Sequence, residues 1–62
     1  MTRHESIRYI HLRAEECGYT QDQLEKVQQK LEALQEEELD HLKRISEVTF
    51  RDWCNKLSKE QS

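Results

Sequence analysis

Apolar side chains recur at intervals of three and four along most of this chain, which is the spacing that places them on one face of an α-helix. Near the amino end this spacing relates Ile7, Ile10, Ala14 and Cys17. A longer series follows, in which polar residues occupy two positions: Leu24, Val27, Leu31, Leu34, Glu38, His41, Ile45 and Val48. No β-branched run with the period of a strand interrupts the pattern, and proline is absent. The pattern therefore predicts an all-α fold.

The first helix is expected over about residues 3–17. Thr2 followed by Glu5 is a capping-box pattern, in which each side chain can accept a hydrogen bond from the other's backbone amide. Gly18, the only glycine, can adopt the left-handed conformation that ends a helix.

A second capping-box pattern, Thr20 followed by Gln23, predicts that another helix begins within two residues of Gly18. Such a short connection predicts an antiparallel helical hairpin. Because the heptad-like series continues without a glycine, this second helix is expected to be long, over about residues 21–47.

The last segment predicts a short third helix over about residues 50–60. Thr49 followed by Asp52 resembles a helix start, and the stretch around Val48 has low helix propensity. Two arrangements remain open: this helix folds back over the second half of the long one, or it continues it in a straight line.

Residues 1–62 are too few for more than a single small helical domain. Apolar residues make up 34% of the chain and charged residues 37%, so the core is expected to be thin. Small domains usually gain stability from disulfides, metals or association. Cys17 and Cys54 are too few for a disulfide framework, and we expect two reduced thiols, with a single disulfide between them as the alternative. Self-association into a helical-bundle oligomer, with a dimer favoured, is therefore predicted.

The expected oligomer interface combines residues on two sides of the first helix with the apolar face of the second. Tyr9 and Leu12 lie opposite the Ile7/Ile10 face, and a helix that is apolar on both sides is usually packed between two neighbours. The predicted interface residues are Ile7, Tyr9, Ile10, Leu12, Leu31, Leu34, Glu38, Leu42 and Ile45.

Glu38 stands where the series requires an apolar residue, and three interpretations are open. It could form a buried polar layer that fixes the register of the oligomer. The apolar stripe could instead shift onto Leu39 and Leu42, which would leave Glu38 at the solvent edge. Finally, Glu38 and His41 form the Glu-x-x-His pair that di-iron bundles use. We favour the first two interpretations and predict no metal and no cofactor.

The stretch Gly-Tyr-Thr-Gln after an arginine-rich helix resembles the opening of repressor-type helix-turn-helix DNA-binding domains, over residues 13–24. The resemblance implies DNA binding. The chain departs from the pattern at Glu25, where that family has a small residue, and at Gln29, where it has the turn glycine. The net charge of −3 also opposes phosphate binding. These departures favour a simple corner between two helices.

The predicted function is that of a small, non-enzymatic regulatory or adaptor protein that associates with itself and binds another protein. Phe50, Trp53 and Leu57 are candidate anchors for docking on that partner, or alternatively part of this protein's own core. The alternative function is nucleic-acid binding by a helical dimer through Arg3, Arg8 and Arg13.

No apolar run reaches the length of a signal peptide or a membrane span, so a cytoplasmic protein with no membrane partner is expected. Charged all-helical chains of this size are common among bacterial and phage proteins, and we expect such an origin.

Overall fold

Four α-helices, rather than the three expected, form the part of the chain described by the computed structural model, residues 2–60 apart from the side chains of Ser58 and Glu60. They are α1 (Arg3–Glu16), α2 (Gln21–Ala33), α3 (Glu36–Arg44) and α4 (Glu47–Glu60). The described residues contain no strand, so the predicted all-α class is confirmed.

The start and end of α1 agree with the sequence prediction. The Thr2 side chain accepts a hydrogen bond from the amide of Glu5 at 3.2 Å. At the other end Gly18 has a φ of +84°, the left-handed conformation that glycine adopts without steric cost.

The start of α2 also follows the sequence, because Thr20 and Gln23 form a complete capping box. The Thr20 hydroxyl accepts from the Gln23 amide at 3.3 Å, and the Gln23 side chain accepts from the Thr20 amide at 3.0 Å.

The predicted single helix over residues 21–47 is wrong. Leu34 and Gln35 have extended backbones, with ψ angles of 155° and 163°, and separate α2 from α3. Three consecutive acids then occupy the first turn of α3, namely Glu36, Glu37 and Glu38. Negative side chains are stabilised at a helix amino terminus by the helix dipole. The acidic run therefore favours a new helix start over a position inside a longer helix.

The last helix begins earlier than predicted. Ile45 is extended, with a ψ of 157°, and α4 starts at Glu47 rather than near residue 50. The hydroxyl of Ser46 accepts a hydrogen bond from the amide of Thr49 at 3.3 Å, as an N-cap residue does. Straight continuation of the long helix is thereby excluded.

The helices pack around one apolar cluster. The main contacts join α1 to α2 and to α3, and α2 to α4. The Cα radius of gyration is 10.6 Å, close to the roughly 11 Å expected for a compact chain of this length. The buried apolar residues are Ile7, Ile10, Ala14, Leu24, Val27, Leu31, Leu34, Leu39, Leu42, Phe50, Cys54 and Leu57. By breaking the long helix into pieces, the chain encloses this cluster with its own residues.

Candidate functional site

Two arginines of α1 bind the carboxyl ends of two other helices. Arg3 donates hydrogen bonds to the backbone carbonyls of Glu32 and Leu34, at the end of α2. Arg13 donates to the carbonyls of Leu42, at 2.8 Å, and Ile45, at the end of α3. The last carbonyls of a helix lack partners within the helix, and neither of these helices ends in glycine. The guanidinium groups supply the missing donors.

This arrangement bears directly on the alternative function. Of the three arginines expected to bind nucleic acid, Arg3 and Arg13 are engaged with backbone carbonyls inside the protein. Only Arg8 is exposed. The arginines of α1 therefore do not form a free basic face in this structure.

Most residues of the expected oligomer interface lie instead in the core of the single chain. Ile45 is partly buried and packs against the same cluster, while Glu38 is exposed. The residues that the chain's own core buries are Ile7, Ile10, Leu31, Leu34 and Leu42. Tyr9 and Leu12 remain open, with exposed fractions of 50% and 47%. We call these two residues the outer face of α1.

The position of Glu38 follows from the break at Leu34 and Gln35. The two extended residues change the phase of the helix, so that Leu39 and Leu42 are buried and Glu38 points away from the core. The interpretation in which the apolar stripe shifts onto Leu39 and Leu42 is confirmed. A buried polar layer at Glu38 is not formed in this chain.

The candidate docking residues of α4 differ in how far they are buried. Phe50 and Leu57 are buried in the core, as the alternative interpretation expected. Trp53 is partly exposed and stacks on Phe50 with 5.9 Å between the ring centroids.

One groove runs between α1 and α2 and has a volume of about 370 Å³. Its lining mixes charges of both signs: Arg8 faces it together with Glu15 and Glu32. His11 also lines it and contacts Glu15 at 3.0 Å. Because positive and negative groups alternate here, the groove does not favour a partner of either charge.

A second groove, of about 240 Å³, lies where the end of α2 meets α3 and α4. Its lining residues are Leu34, Glu37, Glu38, His41, Leu42 and Trp53. We call it the Trp53 groove. It differs from the first groove because its charged lining residues are acidic, with one histidine beside them.

Glu38 and His41, the candidate metal ligands of the sequence, both line the Trp53 groove and are exposed. Over residues 2–60, no group of three or more histidine, cysteine or acidic side chains is arranged to hold a metal ion.

Both cysteines lie close enough to Tyr19 to affect its pKa. Both thiols are free, Cys17 partly buried and Cys54 3% exposed. Burial and, to a smaller extent, the nearby Cys17 raise the pKa of the Cys54 thiol, whereas a hydrogen bond with Tyr19 and the charge of Arg13 lower it, and the net pKa is about 11. Burial, followed by the charges of the two thiolates, also raises the pKa of Tyr19 above its ordinary value. Both groups are thus kept protonated well above neutral pH.

Sequence reasoning missed the helix-capping role of Arg3 and Arg13 and the groove beside Trp53. The available signal was the acidic run at residues 36–38, whose preference for a helix start places the break just before it. The arginine contacts span 29 to 32 residues along the chain, and spacing alone does not predict contacts at that separation.

None of the helices in residues 2–60 combines the length and the apolar character that a bilayer crossing requires. Comparison of the chain with protein-family models, with curated proteins and with solved structures gave no match.

Proposed function

We propose that this protein is a small, non-enzymatic adaptor or regulator that associates with itself, most simply as a dimer, and acts by binding another protein. The observation that carries the proposal is the outer face of α1. Tyr9 and Leu12 are each about half exposed although the core beneath them is closed by other residues. Adjacent exposed apolar side chains are typical of interaction surfaces, and tyrosine is enriched in them.

The outer face of α1 is a smaller surface than the sequence suggested, and this affects the expected strength of association. Five residues of the expected interface are buried within the chain itself, so they contribute to folding rather than to assembly. In the proposed oligomer, α1 and α2 form the antiparallel hairpin, and the outer face of α1 contacts the second copy. An interface built around one helix face is small, and we expect a dimer that dissociates on dilution.

The non-enzymatic part of the proposal rests on the composition of the two grooves. Neither is lined, among the residues described, by a serine, threonine, cysteine or lysine. Ser6 and Lys43 line a third depression, which has no histidine among its lining residues to act as a base for the serine. Protein binding is proposed in preference to nucleic-acid binding because Arg3 and Arg13 are occupied by backbone carbonyls. We place the protein in the cytoplasm, where thiols such as Cys17 and Cys54 stay reduced.

Sedimentation equilibrium over a range of micromolar concentrations tests the self-association. We expect the wild type to be a concentration-dependent dimer and Leu12→Glu to be a monomer, because the substitution places a charge in the apolar contact. Val48→Glu is the matched control, since Val48 is also exposed and apolar but lies on α4. A folded wild-type monomer at every concentration would refute self-association.

A further inference from the structure

The Trp53 groove combines an apolar floor with an acidic rim. Leu34, Leu42 and the partly exposed ring of Trp53 form the floor. Glu37 and Glu38 stand on the rim, and both are exposed. The floor can receive an apolar side chain, whereas the rim attracts a cation.

Two cations, Arg3 and Lys43, line a depression beside Glu37, where Arg3 donates to backbone carbonyls and Lys43 pairs with Asp40. The ion pairs formed on α3 are those of Asp40 with Lys43 and Arg44, and no cation within residues 2–60 pairs with Glu37 or Glu38. Arg3, which lies beside Glu37 in the neighbouring surface depression, directs its guanidinium to the carbonyls at the end of α2. The remaining titratable group at the groove is the exposed side chain of His41.

The size of the groove limits what it can hold. At about 240 Å³ it is below the roughly 300–1,000 Å³ of pockets that enclose small-molecule ligands. A groove of this size instead suits one or two large side chains projecting from a protein segment, as in the docking of helical or extended peptides.

We propose that the Trp53 groove binds a cationic segment of a partner protein, which places a large apolar side chain on Trp53 while flanking lysines or arginines pair with Glu37 and Glu38. This inference rests on the proposed protein-binding role but not on self-association, since no groove residue belongs to α1. One copy can therefore use the outer face of α1 and the Trp53 groove at the same time.

Trp53 is the only tryptophan of the chain, so its fluorescence reports on the groove directly. The probe is a synthetic 14-residue amphipathic peptide of leucine and lysine, without aromatic residues, and its counterpart has glutamate in place of lysine. Peptide affinity is measured by the anisotropy of a dye on the peptide, and occupancy of the groove by the emission of Trp53 with unlabelled peptide.

Two double variants distinguish the effect of the groove's carboxylates from the effect of the protein's net charge. Glu37→Gln/Glu38→Gln neutralises the rim, and Asp22→Asn/Glu25→Gln is the control. The control also removes two negative charges, but from exposed residues of α2. Asp22 lies in the first turn of α2, as Glu37 lies in the first turn of α3.

We expect the lysine peptide to bind the wild type and shift the Trp53 emission to the blue, and the glutamate peptide not to bind. The rim variant should bind the lysine peptide about fivefold or more weakly, because two exposed ion pairs are lost, while the control changes by less than about twofold.

Several results would overturn the inference: no binding of the lysine peptide, equal weakening in both double variants, or binding that leaves the Trp53 emission unchanged. A Trp53 emission that shifts with protein concentration alone would show that a second copy fills the groove. A protein that dimerises in sedimentation but binds no peptide would refute the groove and leave self-association intact.

Discussion

The guanidinium of Arg13 lies 4.8 Å from the centroid of the Phe50 ring, a cation–π contact between α1 and the start of α4. The same guanidinium donates hydrogen bonds to the carbonyls of Leu42 and Ile45 at the end of α3. One side chain therefore connects three helices at the break between α3 and α4.

Replacing Arg13 with methionine keeps the apolar stem of the side chain but removes its charge and its donors. We expect Arg13→Met to lower the free energy of unfolding by about 2 kcal/mol, because charge-assisted hydrogen bonds and the contact with Phe50 are lost together. Urea denaturation followed by circular dichroism measures the change. Arg8→Met, at an exposed site on the same helix, should change the stability by only a few tenths of a kcal/mol. Equal effects at the two positions would contradict the capping role of Arg13.

Substitutions at Glu38 and Leu39 test whether the break between α2 and α3 turns Leu39 toward the core and Glu38 toward solvent. Leu39 is fully buried, so Leu39→Ala should cost about 2–5 kcal/mol of stability. Glu38 is exposed, so Glu38→Ala should change the stability by less than about 0.5 kcal/mol. Thermal and urea unfolding of both variants give the comparison. If Glu38→Ala were clearly stabilising and Leu39→Ala nearly neutral, the uninterrupted long helix would be correct after all.

Substitutions at Gly18 test whether α1 ends at this residue. Its φ of +84° is strained for any residue with a Cβ atom, although a Cβ there would meet no other atom within 4 Å. We therefore expect Gly18→Ala to destabilise the protein by about 1 kcal/mol through backbone strain alone. Gly18→Asn should cost less, because asparagine tolerates the left-handed conformation better. A gain in stability for Gly18→Ala would indicate that α1 continues past residue 18.

The raised pKa values of Cys54 and Tyr19 predict how the stability of the protein depends on pH. The folded protein holds the Cys54 pKa at about 11, above the ordinary thiol value of 9.0, and it also raises the pKa of Tyr19. Above pH 9 the unfolded chain therefore loses protons that the folded chain retains, which favours unfolding. We expect the contribution of these two groups to the free energy of unfolding to be fully present below pH 9 and to fall between about pH 9 and 11.

The variant Cys54→Ala should show a shallower decline with pH, measured by urea titrations at fixed pH. Thiol labelling provides a second measurement: Cys17 should react with a maleimide reagent faster than Cys54, since Cys54 is buried and fully protonated near neutral pH. Labelling of Cys54 before Cys17 would contradict its burial.

The features that depend on a few neighbouring residues could be predicted from short motifs in the chain. The cap at Thr2, where one of the two expected hydrogen bonds is formed, the complete capping box at Thr20 and the left-handed stop at Gly18 lie where the sequence predicted them. These elements need only hydrogen bonds and backbone angles within three or four positions, so short motifs are sufficient to specify them.

Long-range contacts decide that the long apolar series is divided, although the acidic run at residues 36–38 and the cap at Ser46 favour helix starts at the two breaks. A regular spacing of three and four is compatible both with one long helix, which needs a partner to cover it, and with shorter helices that cover one another. The extended residues at Leu34 and Ile45 are favoured once Arg3 and Arg13, about 30 residues away in the chain, satisfy the carbonyls exposed at each break. Because those donors come from another helix, no local pattern around Leu34 or Ile45 could have indicated them.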